Sequence, residues 1–134
     1  MDTRNKILTA EGARALAGPL AVVTGYFDVL GAGHARELEA IRGRIGETTL
    51  LALVRPFAGE VFCIDARARM VAALRVVDYV LAADEVQAEA LLEALRPRTV
   101  IHMEADDARR YREIAERIRR AQAQGGPPAE PTGC

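Results

Sequence analysis

The chain has no tryptophan, and its 134 residues hold only three tyrosines and three phenylalanines. A core built on aromatic rings is therefore excluded, and aliphatic side chains must fill the interior. Charge of one sign is also missing. Eighteen Lys and Arg stand against 19 Asp and Glu, a formal net charge of −1. That balance excludes a bulk attraction to nucleic acid or to anionic lipid. Cysteine occurs twice, as Cys63 in an apolar run and Cys134 at the end of a Pro/Gly stretch. Two thiols so placed make no disulfide framework and no zinc site. Cys63 is expected as a core thiol, not bonded to Cys134. No apolar run approaches the length of a membrane span, and Met1–Lys6 lacks the apolar core of a signal peptide. A cytoplasmic protein with no membrane partner is expected.

What is present is an apolar half of the chain, enough for a core in one domain of this length. Apolar runs alternate with helical patterns. Thr9 reads as the N-cap of a short helix over Ala10–Ala17, stopped by Gly18-Pro19. Leu20–Thr24 reads as a buried strand. A glycine-bearing segment, Gly25–His34, leads to a helix over Ala35–Arg42. Thr48–Val54 is a continuous apolar run, the pattern of a parallel strand buried on both faces. Arg55–Gly59 reads as a loop, and Glu60–Ile64 is left unassigned. Asp65 is placed as the cap of a helix over Ala66–Leu74. Val76–Leu81 reads as a third strand, Glu85–Leu95 as a helix ended before Pro97, and Arg98–Met103 as a fourth strand. A final helix covers Asp106–Gln122, with Tyr111, Ile114, Ala115 and Ile118 on one face. Strand and helix in repeated alternation predict an α/β fold with a parallel sheet of about four to five strands and helices on both faces. One domain is expected over residues 1–122, and a disordered Pro/Gly tail over 123–134.

The segment Gly25-Tyr26-Phe27-Asp28-Val29-Leu30-Gly31-Ala32-Gly33-His34 carries the chemistry. A strand, a glycine loop and a helix start bring free backbone N–H groups to one point, which suits a phosphate. The segment resembles the G-x-F-D-x-x-H-x-G-H signature of the cytidylyltransferase-like nucleotidyltransferases. A second passage, Arg67–Val80, with Val77-Asp78-Tyr79-Val80 at its end, is similar to the helix–strand passage of the sugar-phosphate members. Leu91–Pro97 and the leading Lys6-Ile7-Leu8-Thr9 also resemble the ADP-heptose synthase type, the adenylyltransferase half of the bifunctional heptose enzymes. The resemblance covers about Lys6 to Ile101.

The resemblance implies a Rossmann-like (HUP-type) sheet. It implies transfer of a nucleotidyl group from ATP or CTP, with magnesium, to a small phosphorylated substrate such as a sugar phosphate. By the same resemblance His34 is the catalytic second histidine. Gly25, Tyr26, Phe27, Asp28, Gly31 and Gly33 form the phosphate loop, and Arg67 matches a phosphate-binding arginine. His102, at the carboxyl end of the fourth strand, stands near the family's lost lysine. No residue is assigned to a metal, and a dimer, with itself or with an intact relative, is implied.

Each residue also has a plainer reading: helix-entry hydrogen bonding for His34, loop bracing for Asp28, an ion pair for Arg67, a structural role for His102. Asp106 and Asp107 suit the start of a helix without any metal. The chain departs from the signature at Gly31, where the family has its first histidine. Its Lys-Gly-Gly-Asp passage is replaced by His102-Met103-Glu104-Ala105. The loop after strand two is shortened, and the terminal Ser/Thr-rich motif has no counterpart. Weak or lost activity is therefore expected. The alternative is a non-catalytic nucleotide-binding domain or an inactive partner subunit.

Overall fold

The structure is a computed structural model that describes residues 3–28, 30–58, 60 and 62–124. Four parallel strands form one sheet in the order β3-β2-β1-β4. They are β1 Leu20–Gly25, β2 Thr49–Val54, β3 Tyr79–Ala82 and β4 Thr99–His102. Ile7 adds an isolated parallel bridge to Val80 at the outer edge of β3. The α/β, Rossmann-like arrangement expected from the sequence is present.

Period-two alternation divides the core between the two faces. Ala21, Val23, Leu50, Ala52, Val54 and Val80 pack on one face with Leu38 and Ile41 of α2 (Ala32–Ile45). Ala68, Val71 and Ala72 of α3 (Ile64–Ala72) complete that layer. Leu20, Val22, Leu51, Leu53 and Leu81 face the other way. There they meet Ala13 of α1 (Ala10–Arg14) and Ala88 and Leu91 of α4 (Glu85–Leu95). Both central strands are thus apolar on both faces, which explains their unbroken runs in the sequence. β4 is an edge strand and only partly buried.

Several element bounds shift for visible reasons. Thr9 caps α1 as expected, accepting from Gly12 N–H at 3.0 Å, but the helix proper ends at Arg14. The helix after the glycine segment starts at Ala32, not Ala35, so Gly33 and His34 lie in its first turn. α3 starts at Ile64 with Cys63 as N-cap, so Asp65 is inside the helix instead of capping it. β3 starts at Tyr79, not Val76. Val77 N–H is turned back to Leu74 O, and the Asp78 carboxylate takes the Leu50 N–H at 2.8 Å. Val77 is fully buried all the same, which is why its run read as strand. The last helix, α5, runs Glu104–Ala123. Its stripe is weaker in place than in pattern, since Ile118 is 43% exposed. Cys63 is disulfide-bonded and not a free core thiol. Of the tail expected over 123–134, Ala123 lies in α5 and Gln124 caps it, while residues 125–134, Cys134 included, lie outside the described residues. Among the described residues, no helix is long and apolar enough to cross a membrane.

Candidate functional site

The chain walks from β1 to β2 to β3, then crosses back to place β4 on the far side of β1. The order reverses between β1 and β4, and ligands of open α/β sheets bind at the carboxyl ends of strands at such a point. Gly25, the last residue of β1, and His102, the last residue of β4, mark its rim. Thr24 pairs with His102 in the ladder. The Thr24 hydroxyl meets His102 Nδ1 at 2.8 Å, while the His102 side chain is 64% exposed. Glu104 lies 3.8 Å from the same nitrogen.

The loop after β1 is held from within. Phe27 is fully buried and has a positive φ of 50°. That conformation is unusual for a bulky residue. Burial of the ring in the α2–α3 layer offsets its strain. Phe27 therefore presents only its backbone to the loop. Its N–H donates to Asp107 Oδ2 at 3.3 Å, and Tyr26 N–H donates to the same oxygen at 2.9 Å. A β-carbon at Gly25 would stand 2.6 Å from that oxygen and 2.9 Å from the Phe27 ring. Glycine is required there by this packing. Tyr26 stacks on Phe57 at 4.6 Å, and Phe57 meets Tyr111 edge-on at 5.0 Å.

His34 is buried and both of its ring nitrogens are engaged. Gly31 N–H donates to Nδ1 at 3.3 Å, so Nδ1 carries no proton. Nε2 then carries it and donates to Asp107 Oδ1 at 2.5 Å. The bond to Gly31 is the one a Glu or Gln at the third helical position makes in a capping box. Gly31 is the N-cap itself, extended at φ −142°, with open space where a side chain would be. Gly33 is covered by Arg110, whose Nε would lie 3.4 Å from a β-carbon there. Arg110 also bonds Glu37 at 2.6 Å, tying α5 to α2.

Arg67 is fully buried and acts as a clamp. Its guanidinium donates to Tyr26 O and Arg55 O, both at 2.7 Å, to Phe62 O at 3.1 Å, and to the Glu60 carboxylate. It thereby joins the loops after β1 and β2 to the start of α3. Asp28 works beside it. Its carboxylate accepts the Phe62 N–H at 2.9 Å and lies 4.0 Å from Arg67 Nε.

The structure thus brings Gly25, Tyr26, Phe27, Asp28, Gly31, Gly33 and His34 around one loop, with Arg67 beneath it. It leaves His102 on the open rim. Asp107 is the residue whose place the sequence hid. It read as a dipole charge at the start of α5, but it is buried and bonds three loop groups. The available signal was an acidic residue in the first turn after the strand at the reversal point. Arg55 carries no sequence signal beyond its loop, yet it pairs with Glu85 at 2.8 Å and Glu104 at 3.4 Å.

No group of three or more His, Cys, Asp or Glu is placed to hold a metal among the described residues. Asp107, the carboxylate at the loop, is already bound to three N–H groups. Among the described residues, concavities lie elsewhere. One of about 370 Å³ runs between Ile7–Ala10, α3 and α4, and one of about 740 Å³ opens near Lys6, Arg42 and Asp78 at the opposite edge of the sheet.

No protein-family model matches the chain. Two curated proteins do. The chain is 30% identical over 109 residues to bifunctional protein HldE of Alcanivorax borkumensis. It is 33% identical over 112 residues to bifunctional protein HldE of Trichlorobacter lovleyi. Each match takes in 75% of this chain but only 23% and 21%, respectively, of the relative. The chain is similar to one part of these larger proteins, which agrees in kind with the resemblance carried by its glycine loop.

Proposed function

We propose that this chain is a nucleotidyltransferase-like domain whose triphosphate loop persists as architecture while its catalytic power is weak or lost. The similarity to bifunctional protein HldE and the loop at the reversal point of the sheet support the nucleotidyltransferase-like kind. One observation carries the loss of activity: the side chains that should meet phosphate are already spent on the protein itself. Both nitrogens of His34 are bonded internally, four Arg67 donor contacts end on three backbone carbonyls and Glu60, and position 31 bears no side chain.

Nucleotidyl transfer is a problem of positioning and of stabilising charge that develops on phosphate oxygens. Donors must already face those oxygens to act. Losing one such donor costs about 3 kcal/mol, a rate factor of order 100. Groups that act as a unit fail together. The absence of several therefore points beyond slow turnover to a domain that does not turn over.

A second reading, retained nucleotide binding, is favoured by His102. Its ring is oriented by Thr24 and exposed at the reversal point, where a phosphate or base edge would lie. In this reading the ligand is a nucleoside triphosphate held at the rim, and the chain serves as a binding domain or as the inactive partner of an active relative in the cytoplasm. Calorimetric titration with ATP and CTP, with and without magnesium, tests it alongside pyrophosphate release over a set of sugar phosphates. Weak binding that His102→Ala removes, without release, is expected. Release at ordinary enzymatic rates with any sugar phosphate overturns the proposal.

A further inference from the structure

The loop's phosphate position already holds an anion, and the anion is part of the chain. We infer that Asp107 is a built-in stand-in for a phosphate, closing an anion pocket that its removal would reopen.

The carboxylate comes from α5, some 80 residues away in sequence, and is buried to 4% exposure. Oδ2 accepts from the N–H groups of Tyr26 and Phe27 in succession, and Oδ1 accepts a hydrogen bond from His34 Nε2–H. Two consecutive backbone donors and an imidazole N–H converging on one group of oxygens form an oxyanion receptor. Arg110 supplies the independent sign. Its Nη1 is buried without a hydrogen-bond partner and stands 3.9 Å from Asp107 Oδ1, too far for a bond. A phosphoryl group is larger than a carboxylate and has an oxygen more to offer. The Arg110 guanidinium pairs with Glu37 through Nη2, and its Nη1 N–H group is one donor more than the carboxylate uses.

Glycine at position 25 fits the same picture. Its missing β-carbon is what lets Asp107 Oδ2 come so near the strand end. The pocket is consequently closed in the resting chain, and a phosphate reaches these donors only by expelling Asp107. This inference rests on reading the loop as a phosphate loop, but it concerns the pocket alone and not the nucleotide.

The test is anion rescue in the full chain. Asp107→Ala removes the stand-in and leaves the Tyr26 and Phe27 N–H groups and the His34 Nε2–H unanswered. Its melting temperature should fall, then climb by several degrees as inorganic pyrophosphate is added, because a ligand of the folded state alone stabilises it in proportion to the logarithm of its concentration. The wild type should show almost no response. Asp107→Asn keeps an acceptor for the loop and serves if the alanine variant does not fold. It should bind pyrophosphate at least about tenfold more tightly than the wild type, since a repelling charge is gone and the donors remain. Equal response of wild type and variant to pyrophosphate overturns the inference, as does a soluble Asp107→Asn protein with unchanged affinity. If pyrophosphate rescues but ATP and CTP bind the variant no better than pyrophosphate does, the pocket stands and the nucleotide reading falls.

Discussion

Replacing His34 by alanine separates a ligand-facing histidine from one that holds the fold. In the structure the ring makes two bonds and is buried. The 2.5 Å contact to the Asp107 carboxylate is charge-assisted and worth about 1.5–3 kcal/mol. The 3.3 Å contact from Gly31 is long, and Gly31 is exposed, so water can replace it at a cost of about 0.5 kcal/mol. Deleting the buried ring leaves a partial cavity, which adds to both. The sum is a loss of about 2–4 kcal/mol in the absence of any ligand. For a domain of this size that is a fall of roughly 8–15 °C in Tm. Urea denaturation followed by circular dichroism reads it directly. His34→Gln, whose amide can donate to Asp107, should recover part of the loss. A His34→Ala protein within about 0.5 kcal/mol of the wild type, but with weakened triphosphate binding, would refute the reasoning and return His34 to the ligand.

Arg67→Ala should be more damaging, by about 3–5 kcal/mol, because it strands three backbone carbonyls and the Glu60 carboxylate around a buried void; failure to express in soluble form or a collapsed urea midpoint is the expected result. Gly25→Ala should cost about 1–3 kcal/mol by forcing its β-carbon against Asp107 and Phe27, measured in the same denaturation assay. Gly43→Ala acts in the opposite direction. Position 43 lies exposed within α2 with open space around it, so alanine should stabilise by about 0.5–1 kcal/mol, visible as a rise in Tm.

The sheet was legible because its physics is local. Leu20–Val23 and Leu50–Val54 are apolar at every position, and only a strand covered on both faces needs that. Glu85–Leu95 was legible to the residue because Asp84 and Gln87 cap it reciprocally and Pro97 follows it. Val76 and Val77 misled because burial, not pairing, is what their side chains report. The grouping of the glycine-loop residues at the reversal point of the sheet was legible, and the inward direction of their side chains was not. The glycine loop, Arg67 and His102 could all be named from their positions in the chain. The inward direction of His34 and Arg67 depends in part on partners 73 and 41 residues away, Asp107 for His34 and Tyr26 for Arg67. No local pattern encodes such a pairing. Asp107 illustrates the limit most sharply, since an aspartate in the first turn of a helix looks the same whether it faces water or fills a buried receptor.

The central claim is that the donors proposed to meet phosphate are turned inward, and the tautomer of one imidazole tests it most directly. The chain has only two histidines, so ring ¹⁵N resonances are assigned by a single His102→Ala variant. The account predicts that His34 in the free protein carries its proton on Nε2 and none on Nδ1, and that millimolar ATP or CTP with magnesium leaves this tautomer and its shifts unchanged. A His34 ring that carries its proton on Nδ1 in the free protein, or changes tautomer when triphosphate is added, would contradict it.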